Sequence, residues 1–156
     1  MRIAPLMVLL VAGLAGCGGS APPPAKPAAA AQGEAVSRVG DVSIRANAMQ
    51  TSALSPTVAG QYGIARADTS VMLLVAVRQG PDAQEVALPA RITATATDLR
   101  GRRQNLEMRE LRSGDLLDYI GTAELTPPDT LRFDVTIVRE NGATSTMQFS
   151  RDFYPR

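Results

Sequence analysis

The sequence predicts an all-β fold: an antiparallel, immunoglobulin-like β-sandwich of seven or eight strands with one short helical turn. Three observations carry this. Short segments of apolar–polar alternation recur from about residue 36 to residue 153, and a period of two is the signature of a half-buried strand. Turn residues punctuate these segments, above all Asn141-Gly142, the strongest short hairpin signal. No strand–helix–strand rhythm runs through the chain, so a parallel sheet with crossover helices is not expected.

The elements follow in order. Val42, Ile44, Ala46 and Ala48 alternate with Ser43, Arg45 and Asn47, a half-buried strand. Ser55-Pro56 opens a short helix, with Ser as N-cap, Pro at the first helical position and Gly63 as the stop. Val58 and Tyr62, four apart, share its buried face, and the helix is expected to cap one end of the core. Val71 to Val77 (VMLLVAV) is a continuous apolar run of strand length, so a strand buried on both faces is expected. Gln79-Gly80-Pro81-Asp82 is a turn. Ile92, Ala94 and Ala96 alternate with threonines, and the chain then reverses around Gly101. Asn105 to Arg112 is polar and reads as a strand or a short helix. Leu117 to Ala123 is a strand in which Tyr119 and Ile120 face opposite ways. Leu131, Phe133, Val135 and Ile137 give the cleanest alternation, and the strand after Asn141-Gly142 returns through Met147, Phe149 and Phe153.

The N-terminus is organised differently. Met1-Arg2, the apolar stretch Ile3 to Leu14 and then Ala15-Gly16-Cys17 resemble the bacterial lipoprotein signal, in which the peptide is cleaved before the cysteine and lipid is attached to its sulfur. Residues 1–16 are therefore expected to be a cleaved signal peptide and Cys17 the lipid-attachment site, with several acyl chains for firm anchoring. Gly18, where inner-membrane retention in enteric bacteria favours Asp, implies the outer membrane, facing the periplasm, with the inner membrane as the alternative. Residues 17–35 hold four prolines and little to bury, and read as a flexible tether reaching up to roughly 50 Å at about 3.1 Å per residue. Residues 36–156 form the folded domain.

Composition narrows the function. The chain has no His, no Trp and one Cys, so the commonest general base and metal ligand is missing, and no intradomain disulfide can form. With Cys17 lipidated no thiolate remains for catalysis, zinc or an iron–sulfur cluster. Losing Arg2 leaves 15 basic and 15 acidic residues, a neutral balance that gives no reason to expect nucleic acid as a partner. Serine nucleophile motifs are absent. No cofactor and no metal are expected.

A set of residues resembles one family. Leu54, Pro56, Val58-Ala59 and Tyr62-Gly63-Ile64 belong to it, with Ala96-Thr97-Asp98-Leu99, Gly101, Glu110-Leu111-Arg112, Gly114-Asp115 and Tyr119-Ile120. Leu131 to Val135, Phe149 and Phe153-Tyr154 complete it. Together, from about Val39 to Tyr154, they resemble the bacterial family known as domain of unknown function 4426. The resemblance implies an exported β-sandwich of similar length. The family has no established activity, so no catalytic residue carries over.

Three groups of residues remain as candidates. Asn47, Tyr62 and Arg66 concentrate polar and backbone demands near the helical turn and form a candidate contact surface; their structural alternative is that Tyr62 plugs the core while Asn47 hydrogen-bonds the loop. Glu107, Glu110, Asp115 and Asp118 are close enough in sequence for an acid–base pair, with Arg109 and Arg112 interleaved as ion-pair partners; Asp115 and Asp118 lack the dense spacing of a calcium loop. Arg100-Gly101-Arg102-Arg103 is the one basic cluster, readable as a lipid or glycan contact or as a solvated hairpin tip. The expected role is a non-catalytic protein-interaction or accessory module of the cell envelope, held to the membrane through Cys17. The alternatives are a small-ligand or glycan-binding module and, third, a carboxylate-dependent enzyme.

Overall fold

The computed structural model describes residues 33–156. The signal segment 1–16, Cys17 and the tether as far as residue 32 lie outside the described residues. The strands are β1 (Ala35–Val39), β2 (Val42–Gln50), β3 (Ser70–Gln79), β4 (Val86–Ala87), β5 (Ala90–Thr97), β6 (Arg103–Leu106), β7 (Arg109–Ser113), β8 (Leu116–Glu124), β9 (Asp129–Arg139) and β10 (Thr144–Phe153). One α-helix, α1 (Pro56–Tyr62), follows a 3-10 turn at Thr51–Ala53, and a second 3-10 turn spans Asp82–Gln84. Every ladder is antiparallel. One sheet runs β1-β2-β3-β8-β7, with β4 beside the end of β3; the other runs β10-β9-β5-β6. No helix among the described residues is long and apolar enough to cross a membrane.

The fold class is the expected one, a sandwich of two antiparallel sheets, and the strand count is ten. The additional strands arise where the apolar signal is weak. Gly40, at φ +62°, turns the chain between β1 and β2, inside what reads as one alternating stretch. The polar segment 103–113 splits into β6 and β7, which belong to different sheets. β4 has only two residues.

The core lies between the sheets. Ile44, Val71, Leu73, Val75 and Val77 from the first sheet meet Leu131, Phe133, Val135 and Ile137 from the second, all at most 1 % exposed. Removing one such side chain from water contributes about 1.5–3 kcal/mol. Phe133 stacks on Phe149 with ring centroids 5.2 Å apart. Tyr119 also stitches the layers together: its inward ring joins the core, and its hydroxyl oxygen accepts the Ala90 N–H at 2.8 Å, satisfying two polar groups at the start of β5.

Helix α1 forms as the residues dictate. Ser55 Oγ accepts the Val58 N–H, Pro56 leads the first turn, and Gly63 closes the helix at φ +62° in the left-handed conformation. Its position corrects one expectation: α1 does not cap the end of the core. β3 alternates Val71, Leu73, Val75 inward with Met72 and Leu74 outward, so its outer face is apolar as well. Leu54, Val58, Ala59 and Tyr62 cover that face in a second cluster with Met72, Leu74, Ile120 and Leu111. A strand apolar on both sides needs cover on both sides, and α1 supplies the second.

Candidate functional site

The outer face of the first sheet is divided. Its lower half is ionic. Glu85 lies over β2, where it accepts hydrogen bonds from Ser43 Oγ at 2.7 Å and from Arg45 Nη1 and Nη2 at 2.6 and 2.9 Å. The bonds from Arg45, then from Ser43, hold the Glu85 carboxyl below the ordinary carboxylate range, and the bond to Glu85 raises Arg45 in turn. Arg78 pairs with Asp118 beside them and donates to the Leu117 carbonyl at 2.9 Å. The Glu85 bonds fasten the 80–87 loop to the sheet, and the Arg78 contacts join β3 to β8.

The upper half carries a groove of ≈ 550 Å³ beside α1. Its floor is Ile120, Gly121 and Thr122 of β8. One wall is the strap from Gly63 to Ala67; the other is Glu107, Met108 and Arg109, where the chain passes from β6 in one sheet to β7 in the other. The strap is pinned. Thr51, fully buried, donates its hydroxyl to the Ala67 carbonyl at 3.1 Å and accepts the Ala67 N–H at 2.9 Å. Arg66 Nη2 donates to the Ser52 carbonyl at 2.9 Å, and Ile64 N–H donates to the Ala59 carbonyl at 2.9 Å. Arg109 reaches across from the opposite wall to donate to the Tyr62 carbonyl, a cation at a helix C-terminus. The crossing chain passes so near β8 that a Cβ on Gly121 would lie 2.6 Å from Met108 Sδ, which is why glycine stands there.

The β8 edge is open at this groove. β7 leaves β8 at the Arg109–Ile120 pair. Four residues on, Glu124 presents both its N–H and its C=O to that edge, and the Gln104 side-chain amide takes up both, at 2.9 and 2.7 Å. Backbone direction repeats every second residue along a strand, so the N–H and C=O of Thr122 face the same edge. Among the described residues nothing meets them there.

The candidate contact residues are placed apart. Tyr62 is half-buried against the sheet, and its carbonyl joins the groove wall through Arg109. Arg66 is exposed and belongs to the strap. Asn47 is half-buried on β2, in a separate depression of ≈ 240 Å³ against Asp152–Arg156. No hydrogen bond joins the three. Two of the four candidate acids are engaged by arginines. Glu110 pairs with Arg112 at 2.9 Å, and Asp118 pairs with Arg78 rather than with Arg112. Glu110 is registered opposite inward-facing Tyr119, whereas Asp118 is opposite outward-facing Leu111, so the two carboxylates stand on opposite faces of the sheet. Among the described residues no group of three or more His, Cys, Asp or Glu is placed to hold a metal ion. The groove residues Glu107, Met108, Gly121 and Thr122 were not singled out as a contact surface by sequence; a glycine within a strand pattern is the signal that marks them.

Known proteins resemble this chain at two levels. No curated protein matches it. Among solved structures, a DUF4426 family protein from Pseudomonas aeruginosa PAO1 is 25% identical with a TM-score of 0.67, covering 80% of this chain and 98% of that one. FetP of uropathogenic Escherichia coli strain F11, as isolated from periplasmic expression, is 12% identical with a TM-score of 0.49, covering 76% of this chain and 91% of its own. A copper-bound variant of FetP is 12% identical with a TM-score of 0.48, covering 76% and 92%. The family profile described as Domain of unknown function (DUF4426) matches residues 36–156, the whole sandwich but its first residues, and the chain belongs to that family.

Proposed function

We propose that this protein is a lipid-anchored, periplasm-facing interaction module without catalytic activity, which takes an extended segment of an envelope protein partner into the groove beside α1. The observation that carries the reading is the open β8 edge at Thr122: a free backbone donor and acceptor lie at the mouth of a groove whose floor and wall supply Ile120 and Met108. Backbone pairing for affinity and side-chain pockets for selectivity are how sheet edges receive extended peptides. Glu110 and Asp118, engaged by arginines on opposite sheet faces, support a binding role over acid–base chemistry.

A photo-crosslinking side chain at Glu107, on the rim, tests this in cells against the same group at Asn141, on the far hairpin. A discrete protein adduct from position 107 alone is expected, and Thr122→Pro, which deletes the edge donor, is expected to abolish it while circular dichroism is unchanged. Equal adducts from both positions, or none from 107, refute the groove. The anchor is tested separately, by the mass of the mature N-terminus with and without Cys17→Ala. The groove volume also falls within the roughly 300–1,000 Å³ of small-molecule sites. A metabolite that raises the melting temperature when no adduct forms would favour that second reading.

A further inference from the structure

The β5–β6 turn is unusually well braced for a turn that exposes a leucine. Asp98, itself 8 % exposed, accepts the N–H of Arg102 at 2.8 Å and of Arg100 at 3.0 Å on Oδ1, and Arg102 Nε at 3.2 Å on Oδ2. Gly101 takes φ +82° and donates to the Asp98 carbonyl at 3.0 Å. Asp129 Oδ1 accepts the Leu99 N–H at 3.4 Å from the neighbouring strand end. The result is a fixed tip on which Leu99 is 76 % exposed, the most exposed large apolar residue described. Arg102 is tied to Asp98, while among the described residues neither Arg100 nor Arg103 meets a carboxylate. Arg103 Nη2 turns back along β5 to donate to Thr95 Oγ1 at 3.1 Å, so the tip carries one unpaired guanidinium, Arg100, beside one protruding apolar side chain, and its conformational entropy is already spent.

The position of this tip gives it meaning. The chain enters the described domain at Gly33, whose carbonyl accepts from Arg151 near the end of β10. β1 runs away from that point, opposite to β2, so the entry lies at the Gln50 end of the sandwich. The Leu99 turn is at the same end, because Thr97 pairs with Arg132, and Phe153 pairs with Asp129. Tyr154, 61 % exposed, sits there as well, its carbonyl held by Gln50 Nε2 at 3.1 Å. An aromatic ring, a leucine and an unpaired arginine at the end where the chain enters the domain are the chemistry of a membrane interface.

We propose that this end of the sandwich docks on an anionic phospholipid surface, with Leu99 entering the interface and Arg100 on the headgroups. This rests on the reading that Cys17 anchors the chain to a membrane: a tether that joins the domain at this end presents it to the bilayer, and leaves the Asn141 end pointing away.

The sequence provides the probes. Cys17 is the only cysteine and there is no tryptophan. The chain from Cys17 onward, which contains every residue of both hydrophobic clusters, can be coupled through its thiol to a maleimide lipid in vesicles of phosphatidylethanolamine and phosphatidylglycerol. With Leu99→Trp, brominated acyl chains are expected to quench the indole and its emission to shift to the blue; with Asn141→Trp neither should occur. Adding Arg100→Ser to the Leu99→Trp chain is expected to lower the ratio of docked to free domain about fivefold. Equal quenching at positions 99 and 141, or quenching unaffected by losing Arg100, would overturn the proposal. Because coupling replaces natural lipidation, these outcomes stand apart from the mass of the native N-terminus, which alone decides the anchor.

Discussion

Gly121→Ala probes the point where the chain changes sheets. The new methyl would lie 2.6 Å from Met108 Sδ, 3.1 Å from the Glu107 carbonyl oxygen and 3.3 Å from Leu106 Cβ. The thioether can rotate away, but the Glu107 carbonyl belongs to the crossing backbone and must move by a few tenths of an ångström. Overpacking of this kind costs about 1–3 kcal/mol. Alanine recovers about 0.5–1 kcal/mol, because glycine in a strand has more freedom to lose. The expected net loss is about 0.5–2 kcal/mol, a fall in melting temperature of roughly 2–8 °C for a domain of this size. Met108→Ala alone is expected to cost about 2 kcal/mol, the low end for a methionine because the side chain is only half-buried. Combined, the methyl at 121 occupies space the sulfur has left, so the double variant should be about 1 kcal/mol more stable than the two losses summed. Urea unfolding followed by far-ultraviolet circular dichroism measures all four proteins, with the slope m checked for constancy. Losses that add to within about 0.3 kcal/mol, or a Gly121→Ala protein more stable than the parent, would refute this account of the crossing.

Two further outcomes are expected. Phe133→Ala, which empties the fully buried centre of the core and removes the Phe149 stack, should cost about 3–5 kcal/mol in the same unfolding assay; a loss under about 1 kcal/mol would mean the sheets close over the space. Glu85 titrates below its ordinary value in the folded state, so its contribution is present above the unfolded pKa and is lost as pH falls through the lowered folded one. Glu85→Gln should therefore flatten the acid limb of stability against pH, and an unchanged acid limb would show that the bonds from Arg45 and Ser43 do not bind the 80–87 loop.

The sequence discloses elements whose side chains report their own surroundings. Val71 to Val77 is apolar at every position, and β3 is covered on both faces. The helix signals at Ser55, Pro56 and Gly63 are local hydrogen-bond and dihedral requirements, and each is met in place. Partners distant in the chain are another matter. Nothing local shows that 103–106 and 109–113 pair with different sheets, since both are polar and both sit at an edge. The destination of α1 depends on which neighbour leaves a face uncovered, which the helix sequence does not state. The candidate site was half legible for the same reason: Tyr62 and Arg66 mark one wall of the groove through their own turn, whereas the opposite wall and the open edge at Thr122 are products of topology.

The hydrogen bond from Arg151 to the Gly33 carbonyl joins the two ends of the fold. The first strand lies at one sheet margin, and the last strand completes the other sheet beside β9. A chain still missing its final dozen residues therefore has β9 bare along one side and Phe133 without its stacking partner. Closure waits for β10. The strand that carries Phe149 follows all the others in the chain, so the ring stack at the centre of the core is completed by the last element of the fold to be synthesised.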